Sequence, residues 1–217
     1  MWKQRRGGTW IDPLLADDFG LVGIGGDLKP DRLLDAYRRG IFPWYDEGNP
    51  ILWWSPNPRA IFELDDFHVS RRLRRTIRSG RFSMAIDQDF GGVMRGCGEG
   101  REDGTWIVPE MIEAYGELHR LGHGHSVEAW RDEQLAGGVY GVAIGGFFAG
   151  ESMFSRERDA SKVALACLVE HLRERGFRLF DIQFVTPHTV SLGAVEIPRT
   201  EYLGRLQESL RVQCEFL

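Results

Sequence analysis

The 217-residue sequence has few cysteines and lacks long apolar runs. Cys97, Cys167 and Cys214 are widely spaced and form no C-x-x-C pair, so they indicate neither a disulfide framework nor a zinc ribbon. No uninterrupted stretch of about 18 apolar residues occurs, although a membrane-spanning helix would need one. Gly7 and Gly8 follow the basic start of the chain, where a secretory signal carries apolar residues. We therefore expect a cytoplasmic protein without membrane contact.

The chain also lacks the basic excess that is typical of general nucleic-acid binders. It carries 27 Lys and Arg residues against 32 Asp and Glu residues, which gives a formal net charge of -5. A domain that binds nucleic acid over its whole surface is usually strongly basic. Any RNA contact is therefore expected from a local patch, and DNA is not an expected partner.

Two patterns that suggest cofactors are incomplete. His119, His123 and His125 have a spacing that zinc ligands use, but Gly122 is expected to end the helix between the first two. The segment 23–26 contains three glycines, yet it lacks the spacing of a dinucleotide fingerprint and no convincing strand precedes it. We expect a tight turn there, and neither a metal nor an organic cofactor.

Hydrophobic periodicity predicts an α+β fold. Five helices are predicted. The first runs from Pro30 to Gly40, the second begins at Ser70, and the third runs from Pro109 to Leu121. The fourth runs from Asp159–Ser161 to Gly176, and the last begins at Pro198. The predicted strands are Ser126–Trp130, Leu135–Val142, Phe147–Phe154 and Arg178–Phe184, with Gly145-Gly146 as the turn of a hairpin. A Gly-, Pro- and Trp-rich segment precedes most of them. We predict a small N-terminal domain, residues 1–58, and a larger domain, residues 59–217.

The helix that begins at Ser70 concentrates positive charge. Four arginines recur at helical spacing: Arg71, Arg74, Arg75 and Arg78. Leu73 and Ile77 lie on the opposite side, which is expected to face the core. No acidic residue occurs between Ser70 and Phe82, so the arginines repel one another without local partners. A solvated helix face is one interpretation, and a surface that binds the phosphate backbone is the favoured one.

Alternation in the segment 178–184 predicts a strand with one polar face. Its apolar residues share the other face: Phe180, Ile182 and Phe184. Asp181 and Gln183 would then occupy one site, although a polar outer face of the sheet would look the same. Glu151, at another predicted strand end, adds a carboxylate among apolar side chains. Together the three polar residues are candidates for catalysis.

Several strings in the sequence occur in the order and spacing of one known family. They are Gly25-Gly26-Asp27-Leu28, Arg39-Gly40-Ile41-Phe42-Pro43-Trp44, Leu52-Trp53-Trp54-Ser55-Pro56, Gly104-Thr105-Trp106-Ile107, residues 150–155, Asp181-x-Gln183 and His188-x-x-Ser191-Leu192-Gly193-Ala194. From about Leu21 to Tyr202 the chain resembles the bacterial leucyl/phenylalanyl-tRNA-protein transferases. The resemblance implies transfer of Leu, Phe or Met from aminoacyl-tRNA to the N-terminal amine of proteins that begin with Lys or Arg. It also implies that this transfer marks them for N-end-rule degradation, and that the larger domain resembles the Gcn5-related N-acetyltransferase fold.

The resemblance also implies site residues. Catalysis would involve Asp181, Gln183 and Glu151. The aminoacyl-adenosine would contact Trp44 and Trp106, which lie near the terminal base, and a pocket lined by Val139, Phe148, Met153, Leu168 and Phe180. The tRNA acceptor stem would contact Arg71, Arg75 and Arg78. Such a pocket would admit Leu, Phe or Met and reject charged groups.

The resemblance leads to a mechanistic hypothesis. An α-amino group with a pKa of about 7.7 to 8.0 is partly deprotonated at neutral pH, so attack on an ester needs no strong base. Gln183 would orient the incoming amine, Asp181 would stabilise the forming ammonium, and Glu151 would complete a negative site that favours a basic acceptor.

Two other functions stay open. A CoA-dependent N-acetyltransferase of the same fold would need a glycine-rich turn before its central helix, whereas the segment 155–161 has no glycine and contains Glu157 and Asp159. A tRNA chaperone without chemistry would not require Glu151, Asp181 and Gln183 together.

Overall fold

The computed structural model describes residues 10–99 and 107–217. The helices of these residues are α1 (Pro30–Arg38), α2 (Arg71–Arg78), α3 (Phe90–Gly98), α4 (Pro109–Arg120), α5 (Ala160–Glu174), α6 (Pro187–Val190) and α7 (Arg199–Ser209). Their strands are β1 (Leu21–Ile24), β2 (Phe42–Pro43), β3 (Leu52–Trp54), β4 (Arg59–Phe62), β5 (Ser83–Ile86), β6 (Gly124–Arg131), β7 (Gln134–Ile144), β8 (Phe147–Ser155), β9 (Leu179–Gln183) and β10 (Ala194–Ile197).

The strands form two sheets. The smaller one has the order β1-β3-β2 and is antiparallel. The larger one has the order β10-β4-β9-β8-β7-β6-β5, and only its β8–β9 pair is parallel. Helices combined with a mixed sheet confirm the predicted mixture of α and β structure.

The predicted hairpin and helices are confirmed. β7 and β8 pair from Ile144 and Phe147 outward, and Gly145 adopts a φ of 55° that suits a glycine in the turn. The Ser70 hydroxyl accepts a hydrogen bond from the Leu73 amide at 3.2 Å and so caps α2 as expected. Only half of the predicted inner side of α2 is buried, because Leu73 is 3% exposed and Ile77 is 41% exposed.

The large sheet lies between two buried clusters. One face packs with α1, α3, α4 and the smaller sheet, and this cluster includes Trp53, Tyr115 and Tyr202. The other face packs with α2 and α5, and that cluster includes Phe148 and Phe180. The predicted domain boundary coincides with the change of sheet, yet the first cluster contains residues from both sides of it. The division into two domains therefore stays a prediction.

In the glycine-rich segment 23–26, Gly23 and Ile24 belong to β1, and Gly25 and Gly26 follow with φ of 79° and 95°. They form no hydrogen-bonded turn, so the expected tight turn is not found there. The expectation that no strand precedes these glycines is wrong, because β1 ends at Ile24. That strand pairs with β3 in antiparallel fashion and does not start a parallel nucleotide-binding unit.

Candidate active site

β8 and β9 are paired over only a few residues and then diverge. The region between their diverging ends, at Glu151 and Gln183, is named the cleft. Their parallel pairing covers only Phe147–Ala149 on β8 and Leu179–Asp181 on β9. Beyond these residues β8 stays paired with β7, while β9 ends at Gln183. The carboxyl ends of two diverging strands are where open sheets expose their side chains and bind ligands.

Two irregularities aim side chains at this cleft. Gly141 pairs with Gly150 and Tyr140 with Ser152, so Glu151 is the extra residue of a β-bulge. On β9, Gln183 has a φ of 59°, a left-handed conformation that is uncommon for a residue with a side chain. As a result the Gln183 Nε2 atom donates a hydrogen bond to Glu151 Oε1 at 3.1 Å. The structure thus brings the side chains of two of the three predicted catalytic residues into direct contact.

Asp181 lies directly behind this pair and is fully buried. Arg59 holds it through two parallel hydrogen bonds, from Nε to Oδ1 at 2.8 Å and from Nη2 to Oδ2 at 2.7 Å. The Tyr202 hydroxyl donates to Oδ2 at 2.9 Å, and the Gln183 backbone amide donates to Oδ1 at 3.0 Å. Both carboxylate oxygens are therefore engaged by protein donors, which argues against the expectation that Asp181 contacts the substrate ammonium.

Arg59 was not identified from the sequence. Burial lowers the pKa of its guanidinium, but the Asp181 carboxylate outweighs burial and raises the pKa above the ordinary value. Its Nη1 atom donates to the Gly40 carbonyl at 3.1 Å, and its guanidinium lies 4.8 Å from the Phe42 ring centroid. Arg59 thus ties the cleft to the segment that leads to Trp44.

Glu151 has an unusual environment for a carboxyl group. Burial raises its pKa to about 8, and the negative charge of Asp181 acts in the same direction. The hydroxyls of Tyr37 and Tyr115 oppose this rise, and Tyr115 donates to Glu151 Oε2 at 3.4 Å. The two tyrosine hydroxyls also share a hydrogen bond. A carboxyl with this pKa can hold or release a proton near neutral pH.

An exposed aromatic patch borders the cleft. Trp44 is 45% exposed and Phe184 is 42% exposed, with their ring centroids 5.5 Å apart. Trp54 supports Trp44, because its Nε1 atom donates to the Trp44 carbonyl at 2.8 Å. Phe184 was expected to lie on the same face of the strand as Phe180 and Ile182, and this was wrong. The left-handed backbone at Gln183 ends the alternation and turns Phe184 towards Trp44. Trp106 lies outside the described residues.

The five predicted pocket residues are together in the cluster on the α5 side of the sheet. Val139, Phe148, Leu168 and Phe180 are buried, and the half-buried Met153 packs against them. Two glycines leave space for the aromatic rings: a Cβ on Gly141 would lie 2.6 Å from Phe148, and one on Gly150 would lie 2.9 Å from Phe180. The Phe148 and Phe180 rings meet edge to face at 5.5 Å. The need for glycine at positions 141 and 150 could be recognised only with knowledge of the β-bulge at Glu151.

The predicted arginines lie on the exposed side of α2, which packs against α5. Within the described part of the chain, Arg71, Arg75 and Arg78 form no salt bridge, whereas Arg72 pairs with Asp159 at 2.9 Å. The charge of the three arginines is therefore available to a ligand on this surface.

The three histidines do not all meet at one point, although His119 and His125 both approach the Asp87 carboxylate, at 4.0 and 2.7 Å. Their ring nitrogens contact different oxygen atoms: His119 contacts Gly124, His123 contacts Ala143, and His125 contacts Asp87 and Gly122. In residues 10–99 and 107–217, no group of three or more His, Cys, Asp or Glu side chains is arranged to hold a metal ion. No helix in these two ranges is both long and apolar enough to cross a membrane.

Comparison with known proteins identifies the family. Residues 61–207 match the family model described as leucyl/phenylalanyl-tRNA protein transferase, and residues 26–57 match the model of its N-terminal domain. Relatives of that name from Solidesulfovibrio magneticus and an Anaeromyxobacter species are each 56% identical. The alignments cover 90% and 97% of this chain and 80% and 91% of the relatives. The solved structure of L-PGS from Bacillus licheniformis is 13% identical in sequence. The superposition covers 75% of this chain and 55% of that chain, with a TM-score of 0.37. The sequence matches show that the chain belongs to the leucyl/phenylalanyl-tRNA-protein transferase family.

Proposed function

We propose that this protein transfers Leu, Phe or Met from aminoacyl-tRNA to the N-terminal amine of proteins that begin with Lys or Arg. The observation that carries the proposal is the Glu151–Gln183 contact in the cleft between β8 and β9. The protein also has an apolar cluster beside β8 and β9, an exposed tryptophan in contact with Phe184, and on α2 three arginines without a salt bridge in the described residues. The modified proteins would be directed to N-end-rule degradation, in the cytoplasm where charged tRNA is used.

Each part of the donor has a matching surface. The amino-acid side chain enters the apolar cluster around Phe148 and Met153, where a deformable methionine accommodates Leu and Phe alike. The terminal adenosine stacks on Trp44, together with Trp106, because a base and an exposed indole both gain from stacking. Phosphates of the acceptor stem contact Arg71, Arg75 and Arg78 without reading sequence.

Gln183 and Glu151 act on the reacting atoms. The Gln183 side-chain amide is too weakly basic to take a proton, so it orients the acceptor amine through hydrogen bonds. The neutral amine attacks the ester carbonyl carbon, the new C–N bond forms, and the bond to the ribose oxygen breaks. The amine loses one proton, which the ribose oxygen finally gains. Ionised Glu151 relays this proton, because its pKa of about 8 lies close to that of an α-amine.

Asp181 acts through its neighbours in this proposal. Its hydrogen bonds with the Gln183 backbone amide and with Arg59 hold Gln183 in the left-handed conformation in which its side chain faces Glu151. The Lys or Arg preference follows from Glu151, because a cation beside this carboxyl favours its charged form. Asp181 is therefore a positioning residue, in place of the ammonium ligand first expected.

The geometry favours tRNA over CoA as the donor. A pyrophosphate would need free amide groups at the start of α5. There the Ala160 amide donates to the Glu157 carbonyl at 3.1 Å, and the Ser161 amide donates to the Ser155 hydroxyl at 3.2 Å. The Glu157 carboxylate, which a phosphate would meet, already binds Arg81 and Arg131. The short parallel pair β8–β9 is nevertheless consistent with a Gcn5-related catalytic domain of residues 59–217 that follows a small domain of residues 1–58.

Competing donors and acceptors test the proposal. Radiolabelled Leu-tRNA and labelled acetyl-CoA are offered separately to the protein with acceptors that begin with Arg or Glu. Leucine transfer to the Arg acceptor alone is the expected result. Acetyl transfer would support the acetyltransferase, and tight tRNA binding without transfer would support a binding protein.

A further inference from the structure

The segment that follows α7 returns to the large sheet and is held there by hydrogen bonds. The carbonyl oxygen of Phe216 accepts from His171 Nε2 at 2.6 Å and from Arg175 Nε at 3.1 Å, both near the end of α5. Two residues earlier, the Cys214 thiol lies 3.2 Å from the Gly145 carbonyl in the β7–β8 turn. The Phe216 carbonyl and the Cys214 side chain therefore hold this segment against α5 and the β7–β8 turn.

The Phe216 ring is 3% exposed and lies in the same cluster as the pocket residues. It stacks on Phe148, with ring centroids 5.5 Å apart and planes 23° apart. It also stacks on His125 at 4.2 Å and contacts Phe177 at 6.1 Å. Aromatic contacts of this kind add to the stabilisation that burial gives.

The position of Phe148 is restricted from several directions. Two of its ring atoms lie 2.6 Å from where a Cβ of Gly141 would be, so the ring packs directly on the β7 backbone. Phe180 contacts it edge to face, and Phe216 contacts it face to face. Backbone cannot yield without breaking the sheet, whereas removal of the Phe216 ring would leave a void beside Phe148. Close-packed interiors transmit such a change to the neighbouring side chains.

We infer that Phe216 is a specificity-determining residue of the aminoacyl pocket, because it forms the wall behind Phe148 and sets how far that ring can retreat. The inference rests on the proposed function, in which Phe148 lines the pocket for the transferred side chain. Phe216 acts through Phe148 and is a positioning residue. With Phe216 in place the pocket has a fixed depth, and without it Phe148 moves back and a larger side chain fits.

The test is the ratio of kcat/KM for Phe-tRNA to kcat/KM for Leu-tRNA, measured with one Arg-initiated acceptor. Phe216→Ala should raise this ratio about tenfold, the scale at which pocket size discriminates between apolar side chains. Phe216→Leu, which retains most of the packing, should raise it less and carries the test if Phe216→Ala does not fold. Melting temperatures are measured on the same samples.

Two control variants separate selectivity from stability. Leu217 is 63% exposed, so Leu217→Ala should alter neither the ratio nor the melting temperature. Phe90 is 4% exposed in the cluster on the other face of the sheet, so Phe90→Leu should lower the melting temperature and leave the ratio unchanged. A lower melting temperature with an unchanged ratio in both Phe216 variants would overturn the inference, as would a matching ratio change in Phe90→Leu. Absence of leucine transfer by the unsubstituted protein would overturn the proposed function, and the inference with it.

Discussion

Replacing Glu151 by Gln should make the protein more stable at alkaline pH. In the folded protein burial raises the pKa of Glu151 from its ordinary 4.5 to about 8. Between these two values the folded state keeps a proton that the unfolded state has lost, so stability falls as pH rises through this window. Above pH 8 the free energy of unfolding is lowered through Glu151 by on the order of 5 kcal/mol, at roughly 1.4 kcal/mol for each pH unit between the two pKa values. Because Glu151 is only half-buried by its accessible surface, we expect a gain of about 2 to 5 kcal/mol in Glu151→Gln.

Urea denaturation at pH 5 and pH 9, followed by tryptophan fluorescence, measures this effect. The difference in unfolding free energy between the variant and the unsubstituted protein should be much larger at pH 9 than at pH 5. The titration of all other groups is common to both proteins and cancels in this difference. Glu208→Gln is the control, because Glu208 is exposed on the last turns of α7. A pH-independent difference for Glu151→Gln would refute the reasoning about its environment.

Three further substitutions test other parts of the site. Asp181→Asn cannot accept both guanidinium bonds and leaves a buried charge without its partner, so urea denaturation should show a loss of about 3 to 5 kcal/mol and turnover should fall; unchanged turnover would remove Asp181 from the mechanism. Joint replacement of Arg71, Arg75 and Arg78 by Ala should weaken Leu-tRNA binding, measured by filter binding. It should also reduce the slope of log binding constant against log salt concentration by up to about 3, whereas an unchanged slope would place the tRNA elsewhere. Trp44→Ala should weaken the binding of an aminoacyl-adenosine amide by about 1 to 3 kcal/mol, measured by calorimetry, and Trp44→Phe should restore much of it if stacking is the cause.

Sequence reasoning predicted the features that depend on local signals. The hairpin with its Gly145 turn, the Ser70 cap and the periodic helices α4 and α5 all follow from residues close together in the chain. Strand alternation and the nearby carboxylate indicated the candidate catalytic residues, and the resemblance then implied their roles. The structure brings the side chains of Glu151 and Gln183 together.

Long-range pairing and backbone irregularities could not be predicted in this way. Arg59 and Asp181 are 122 positions apart, and nothing local to either one indicates the other. Tyr37 and Tyr115 belong to different helices and meet only because both pack on the Glu151 side of the sheet. The left-handed conformation of Gln183 has no sequence signal of the kind that a glycine gives, and for that reason the position of Phe184 was wrong.

The central claim is that the Glu151–Gln183 cleft carries out the transfer. The most direct test is the single-turnover rate of leucine transfer to an Arg-initiated acceptor, with Leu-tRNA affinity measured on the same samples. For Gln183→Ala and Glu151→Gln we expect the rate to fall by about 10² or more, as is usual when a positioning or proton-transfer group is lost, while Leu-tRNA affinity changes little. Unchanged rates, or losses that parallel equal losses of Leu-tRNA affinity, would contradict the account.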